Sequence, residues 1–290
     1  MKNIFFLTLL LIISNLNSQS SIDCNSNLSI FAEYYKVKNY EAAYEPWMSV
    51  RKECPKINPA IYFQGSRMLE EFIKTSDAES KKAYQDDLLK LYDEWLINFP
   101  AYNGRSIVGQ IMSNKAQKMI DYKLATKTEI FDLFENAYQT DPVSFDDPKP
   151  LYNYFKTYFE LYKAGNGEIT LNQIFNKYEE LSERYNSIID EYSKQIDIII
   201  NKENSGIALT SREKRNKRVY EINSNASNIY LRNLNAIIAK ESTCENLIPL
   251  YRKNLEENKT NPVWLNRAAS RMDSKECSDD PLFVVLVELL

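Results

Sequence analysis

The segment NYEAAYEPWMSVRKECP, residues 39–55, carries the pattern that decides the fold class. Ala43 and Trp47 lie about one helical turn apart, so their side chains share one face of a helix. A small residue at Ala43 lets a second helix approach closely, and the indole of Trp47 fills the space beside it. Pro55 cannot continue a helix. The segment therefore predicts one member of a closely packed helix pair that ends before residue 55.

The same arrangement recurs along the chain on both sides of this segment. Helical patterns are predicted in pairs, each followed by a proline at position 55, 100 or 142: residues 26–37 with 40–53, 59–74 with 77–98, and 103–121 with 126–140. The 290 residues include only 6 glycines, which is few for a sheet-based fold with many turns. We therefore predict an all-α protein.

These paired helices resemble the tetratricopeptide repeat, in which small residues, aromatic residues and a closing proline recur in a helix hairpin. Phe31 departs from the pattern, because the family has a small residue there. The resemblance covers about residues 24–142 and implies an α-solenoid of antiparallel helix hairpins, similar to the exported envelope repeat proteins of Gram-negative bacteria. It implies the following repeat-core positions: Tyr34, Ala43, Trp47, Val50, Pro55, Phe134, Ala137 and Pro142.

The first twenty residues are typical of a cleavable signal peptide. Lys2 provides the positive start, and residues 4–13 form an apolar segment too short to span a bilayer comfortably. Ser18 and Ser20 are both suitable small residues for cleavage. We predict a signal peptide at residues 1–20 and export to the periplasm or cell surface, the alternative being a retained membrane anchor.

The second half contains two long helical patterns, residues 171–204 and 210–240, separated by one glycine-containing break. Together they predict an antiparallel helical hairpin, an arm of roughly 45–50 Å that extends beyond the repeats. Two ordinary hairpins are the alternative. The first helix has a 3-4 apolar pattern. The stripe predicted to pack on the second consists of Val219, Ile222, Ala226, Ile229, Leu234 and Ile237.

The predicted domain organisation follows from these patterns. Repeats occupy residues 21–165, the arm occupies residues 166–241, and further helical repeats occupy residues 242–290. Residues 282–290, LFVVLVELL, are nearly all apolar and need neighbours on most sides. They either dock on this protein or lead into repeats that continue beyond this chain.

The four cysteines lie at the ends of predicted helix hairpins. Cys24 and Cys54 bracket the first hairpin, and Cys244 and Cys277 stand in the same relation to the helices predicted at residues 243–257 and 262–272. Antiparallel packing brings such ends together, and an exported chain can keep disulfides. We predict the pairs Cys24–Cys54 and Cys244–Cys277, with free buried thiols as the alternative.

Few residues of the sequence are candidates for catalysis or metal binding. The sequence has no histidine, which removes the commonest general base and metal ligand, and it contains no nucleophile motif or phosphate-binding loop. The acid pairs Asp146-Asp147 and Asp279-Asp280 each precede a proline, which indicates helix starts; an acid–base pair is the alternative. We predict a non-enzymatic protein without catalytic residues, cofactor or metal.

The partner is expected to be a protein or peptide of unknown identity. A net charge of −4 predicts no general attraction to nucleic acid. Near the arm's turn, a basic run is a candidate contact for a partner or an anionic envelope surface, with a solvated helix face as the alternative. It comprises Arg212, Lys214, Arg215, Lys217 and Arg218. The expected function is an exported scaffold or adaptor, with a helical glycan- or lipid-binding protein as the alternative and an enzyme third.

Overall fold

The structure, a computed structural model, describes residues 23–165 and 169–290. In that part of the chain there are twelve α-helices and one two-stranded hairpin, which confirms the all-α class and the packing of neighbouring helices in pairs. The predicted signal peptide at residues 1–20 lies outside the described residues.

The elements follow one another in a simple order. The chain divides into two compact units, Met1–Leu91 and Tyr92–Leu290, and the division falls within α4. The predicted domain boundaries at residues 165 and 241 stay predictions. The elements are α1 Cys24–Lys36, α2 Tyr40–Glu53, α3 Ala60–Thr75, α4 Ala78–Asn98, β1 Ala101–Tyr102, β2 Arg105–Ser106, α5 Val108–Tyr122, α6 Lys127–Thr140, α7 Pro148–Lys163, α8 Leu171–Asn204, α9 Ser211–Ala239, α10 Cys244–Asn258, α11 Pro262–Ser274 and α12 Pro281–Glu288.

The core of the first unit is built on the segment that the sequence singled out. Ala43, Trp47 and Val50 are fully buried on α2, as the repeat pattern predicts. The expectation for Tyr34 is wrong, because its side chain is 39% exposed. Phe31, one turn earlier on α1, is fully buried instead. The ring of Phe31, which departs from the repeat pattern, is therefore the one packed in the core, and Tyr34 is turned outward.

Several helix starts are set by local hydrogen bonds. Thr126, Thr170 and Thr210 each accept a bond from the backbone N–H three residues later, and the side chain at that third position bonds back to the threonine N–H. This reciprocal arrangement satisfies donors that the first helical turn leaves open. Because it depends on neighbouring residues alone, the starts of α6, α8 and α9 were predictable from the sequence.

The start of α5 differs from the prediction. Residues 101–106 form the hairpin of β1 and β2, in which Ala101 pairs with Ser106. Asn103 and Gly104 both have positive φ, 49° and 75°, which a tight two-residue turn requires. The helix expected from residue 103 consequently begins at Val108. An Asn-Gly pair is a local sequence signal for such turns.

The second unit has a continuous apolar core that runs from α5 to α12. Phe134 and Ala137 are fully buried on α6, whereas Pro142 is exposed in the turn that follows and acts only as a helix stop. On α12, Leu282 and Leu286 are buried against the neighbouring helices. The outward side of the same helix exposes Val284, Val285 and Val287.

All four cysteines form disulfides with the predicted partners. The Cα atoms of Cys24 and Cys54 are 6.3 Å apart, and those of Cys244 and Cys277 are 5.4 Å apart. Each bond ties the start of one helix to the chain just beyond another. Two such bonds indicate an oxidising, exported environment. Among the described residues, no helix is long and apolar enough to cross a membrane.

Candidate partner-binding surface

The helices α8 and α9, here called the arm, form the longest continuous feature of the second unit, with 34 and 29 residues. They run antiparallel. The Tyr178 hydroxyl donates to Asn235 Oδ1 at 2.9 Å near one end, and Lys202 Nζ lies 2.6 Å from Glu213 Oε1 near the turn. The predicted antiparallel hairpin is therefore present.

The half of the arm away from the turn is embedded among other helices. Helix α7 packs against both α8 and α9, and Tyr152 of α7 contacts the ring of Tyr230. Across residues 193–226 only Ile199 is buried, which leaves a thin two-helix seam near the turn. The predicted arm is thus part of the core along one half and exposed along the other.

The seam on α9 is not the stripe that the sequence predicted. The side chains turned toward the neighbouring helices include Tyr220, Asn223, Ser227, Leu234 and Ile238, which repeat at helical spacing. Asn223 donates to the Tyr192 hydroxyl at 3.2 Å, and the rings of Tyr192 and Tyr220 stack. The packing side of α9 therefore carries polar and aromatic residues with partners on α8, and not the predicted apolar stripe.

The predicted stripe is consequently rotated outward. Val219, Ile222 and Ile229 are 45%, 54% and 47% exposed, so their assignment to the packing side was wrong. Leu234 is fully buried as expected, and Ala226 and Ile237 are half-buried. The two candidate stripes are offset by one residue, about 100° around the helix axis. Only the shape and partners of α7 and α8 select between them.

The basic run divides into two groups. Lys217 lies 2.7 Å from Glu203 Oε2 and is half-buried, so it is an ion-paired member of the predicted partner-binding run. Glu213, inside the run, pairs with Lys202 and caps α9; these bonds lower its pKa to about 2. The remaining cations are exposed and have no ion-pair partner among the described residues: Arg212, Lys214, Arg215 and Arg218.

These cations share a face with the outward apolar residues. Arg215 lies four residues before Val219, Arg218 lies four residues before Ile222, and Arg232 lies three residues after Ile229. Residues three or four apart are neighbours on a helix surface. We call this surface the outer face of α9; it consists of Arg212, Arg215, Arg218, Val219, Ile222, Ile229 and Arg232.

Helix α8 presents the opposite charge. Glu183, Asp190 and Glu191 line an open groove together with Lys194. Asn261, the residue before α11, and Val263 of α11 border it on the other side. Next to it, Arg271 of α11 bonds Glu179 and lies over the Tyr178 ring. This contact, which sequence reasoning missed, joins the arm to the C-terminal helices. The two exposed sides of the arm thus differ in both charge and apolar content.

A second polar surface lies where α5 and α7 face each other. Asn153 Nδ2 donates to Gln117 Oε1 at 2.7 Å, and Lys149 Nζ lies 2.8 Å from Asp121 Oδ1. We call these four residues the α5–α7 ladder. Gln117 is buried, whereas Asp121 and Lys149 are exposed. Amide and charged groups of this kind can bind a peptide backbone, since together they donate and accept hydrogen bonds.

The acid pair Asp146-Asp147 is more buried than its helix-start assignment suggested. Asp147 is the residue before α7, but its side chain makes no capping bond and instead accepts from Asn114 Nδ2 at 3.1 Å. Burial raises the pKa of Asp146 to about 6, and the charge of Asp147 adds to this rise. Burial also raises the pKa of Asp147.

The second acid pair behaves as predicted. Asp280 accepts a hydrogen bond from the Leu282 backbone N–H at 2.9 Å, so its side chain caps α12. Two carboxyl groups with raised pKa values are a feature of some acid–base sites, but also of carboxyl groups enclosed by packing. Asp146 and Asp147 are held by groups of α5 and α8, and no group of three or more metal-ligating side chains forms among residues 23–165 and 169–290.

No protein-family model, curated protein or solved structure matches this chain.

Proposed function

We propose that this protein is a non-enzymatic scaffold or adaptor, exported to the periplasm or cell surface, that binds a protein or peptide through tetratricopeptide-like helical hairpins. The single observation that carries the proposal is the outer face of α9, where Val219, Ile222 and Ile229 stay exposed while polar residues fill the seam. A helix that exposes branched apolar side chains in a row favours contact with another macromolecule.

Two further features support the proposal. The α5–α7 ladder offers amide and charged groups of the kind that bind a peptide backbone. The disulfides at Cys24–Cys54 and Cys244–Cys277 suit a chain that works outside the cytoplasm, where cysteine pairs stay oxidised.

Site-specific photo-crosslinking in the native cell envelope tests the proposal. A photoreactive residue replaces Ile222 on the outer face of α9 or Asn153 in the α5–α7 ladder, and Ser193, an exposed residue of α8, serves as the matched control position. We expect a discrete protein adduct at Ile222 or Asn153 and none at Ser193. Adducts with lipid or glycan alone, or no difference from Ser193, would refute the scaffold proposal.

A further inference from the structure

The apolar part of the outer face of α9 has the spacing of a helix-docking seam. Val219, Ile222, Ala226 and Ile229 follow one another at intervals of three, four and three residues. This is the interval at which one helix packs against another in a coiled coil. The row is one side chain wide and spans about 15 Å along the helix axis, so its shape fits a single helix.

The charges on α9 specify what kind of helix would fit. Its exposed residues include five cations, Arg212, Lys214, Arg215, Arg218 and Arg232, against one carboxylate, Glu221. The whole chain, in contrast, has a net charge of −4. Cations that flank an apolar seam select a partner with carboxylates at the flanking positions. The surface is therefore complementary to an acidic, amphipathic helix.

Neither helix of the arm of a second copy fits the surface well. Two α9 helices placed seam to seam would bring Arg215, Arg218 and Arg232 of one copy near those of the other, and like charges at such positions repel. The acidic side of α8 has suitable charge, but Ile198 is its one large exposed apolar side chain among the described residues. It lacks the apolar row that a seam requires.

A lipid surface is also less suited to this face. Helices that lie on membranes insert large side chains such as Trp, Phe and Leu. The α9 row contains only Val, Ile and Ala, and Asn225, Asn228 and Asn233 are exposed beside it. The aromatic residues of α9, Tyr220 and Tyr230, are turned toward neighbouring helices.

We infer that the outer face of α9 docks an acidic amphipathic helix of a partner protein, with apolar side chains against Val219, Ile222 and Ile229 and carboxylates against Arg215, Arg218 and Arg232. This inference rests on the proposed protein-binding function and names the chemistry of its partner. The contact is a helix-on-helix contact, in which apolar anchors at helical spacing provide affinity and flanking charges provide specificity.

The probe for the test is a labelled synthetic helix with Leu at the seam positions and Glu at the flanking positions, added to the mature, oxidised chain. The first control peptide has the same composition but scattered Leu positions, and the second has Lys in place of Glu. We expect saturable binding, measured by fluorescence anisotropy, for the acidic amphipathic peptide alone. Equal binding of the scattered peptide, or no binding at all, would overturn the inference.

Variants of the chain locate the contact. The double variant Ile222→Ser, Ile229→Ser is expected to weaken peptide binding by about ten-fold or more, because a few apolar anchors supply most of the affinity at such contacts. Arg215→Gln with Arg218→Gln is expected to weaken binding and flatten its salt dependence. Ile198→Ser, which removes an exposed isoleucine from α8, is the matched control and should leave binding unchanged. An equal loss with Ile198→Ser would contradict docking on α9.

Two more measurements separate this inference from its alternatives. Vesicles of phosphatidylglycerol that bind the chain and lose binding with Ile222→Ser, Ile229→Ser would replace the helix partner by a lipid surface and refute the inference. A concentration-dependent dimer that the same variant abolishes would also refute it. If protein crosslinks form at Ile222 or Asn153 while the acidic peptide does not bind, the partner chemistry is wrong and the scaffold function stands.

Discussion

The indole of Trp47 lies directly against Gly65, so that a β-carbon on Gly65 would fall 2.5 Å from the indole Nε1 atom. Nε1 also donates a hydrogen bond to the Ile61 carbonyl oxygen at 2.7 Å. The Arg51 guanidinium covers the ring from another side, 4.9 Å from its centroid. Helices α2 and α3 therefore meet through one tryptophan and one glycine.

The first prediction is that Gly65→Ala destabilises the protein. The added carbon must displace a buried indole that is also held by a hydrogen bond, and overpacking of this kind costs about 1–3 kcal/mol. Alanine's better helix propensity returns roughly 1 kcal/mol. Thermal denaturation followed by circular dichroism measures the difference, with Arg67→Ala, an exposed change on the same helix, as control. A melting curve no lower than that of Arg67→Ala would show that Trp47 moves freely.

The second prediction concerns the α1–α2 contact. Ala43 is fully buried, so Ala43→Leu forces three extra carbons into a closed space. We expect a loss of about 1–3 kcal/mol in the free energy of unfolding. Ala32→Leu, at an exposed position of α1, adds the same carbons to solvent and should change little. Equal stability of the two variants would mean that Ala43 does not lie at a close helix contact.

The third prediction concerns the two disulfides. Their sequence separations are 30 and 33 residues, and loop-closure entropy gives roughly 3–4 kcal/mol of stabilisation for each. Non-reducing peptide mapping of the exported protein should recover Cys24–Cys54 and Cys244–Cys277 and no other pair. The variant Cys244→Ser, Cys277→Ser should melt earlier than wild type. A recovered Cys24–Cys277 peptide would contradict the structure.

The fourth prediction is a pH dependence caused by Asp146. Burial and the charge of Asp147 raise its pKa from 3.8 to about 6, with a smaller contribution from Glu191 and an opposing one from Arg184. The folded state therefore holds a proton more tightly than the unfolded chain. The stability that this provides is complete below pH 4 and is lost as the pH rises through about 6.

Asp146→Asn should remove the loss of folding stability that wild type shows as the pH rises. At pH 8 the variant should be more stable than wild type by up to roughly 3 kcal/mol, which is the free-energy equivalent of the pKa change, and the difference should shrink toward pH 4. Urea denaturation at both pH values measures it. Asp279→Asn, at an exposed carboxylate, is the control and should show no such trend. A stability difference that does not depend on pH would exclude Asp146 as its source.

The fifth prediction concerns the junction between α8 and α11. Glu179 bonds Arg271 at 2.9 Å, and only 19% and 13% of these two side chains is exposed. Glu179→Gln removes the anion of the largely buried Arg271 guanidinium and one of the two carboxylates bonded to Arg267, which should cost about 3 kcal/mol. Glu183→Gln breaks a 2.8 Å bond to Arg267 whose carboxylate is 60% exposed, and should cost at most about 1 kcal/mol. Equal losses of stability from Glu179→Gln and Glu183→Gln would contradict the greater burial of the Glu179–Arg271 pair.

Features that depend on neighbours along the chain could be predicted from the sequence. Helix starts at Thr126, Thr170 and Thr210 follow from side chains that bond the backbone three residues away. Breaks at glycine and proline follow from backbone geometry, and the cysteine pairs follow from the ends of antiparallel helices. The turn at Asn103-Gly104 belongs to the same class, because its sequence signal is local.

Which side of each helix is covered depends on contacts with other helices and could not be predicted from the sequence. On α9 two rows offset by one residue compete, and Tyr192 with α7 selects the polar row that contains Asn223 and Ser227. On α1 the neighbouring helix encloses Phe31 and leaves Tyr34 outside. The backbone hydrogen bonds of a helix join residues four apart, so they form equally well whichever side of the helix faces the core. The choice of face depends on the shape and polar partners of other helices, which lie far away in sequence.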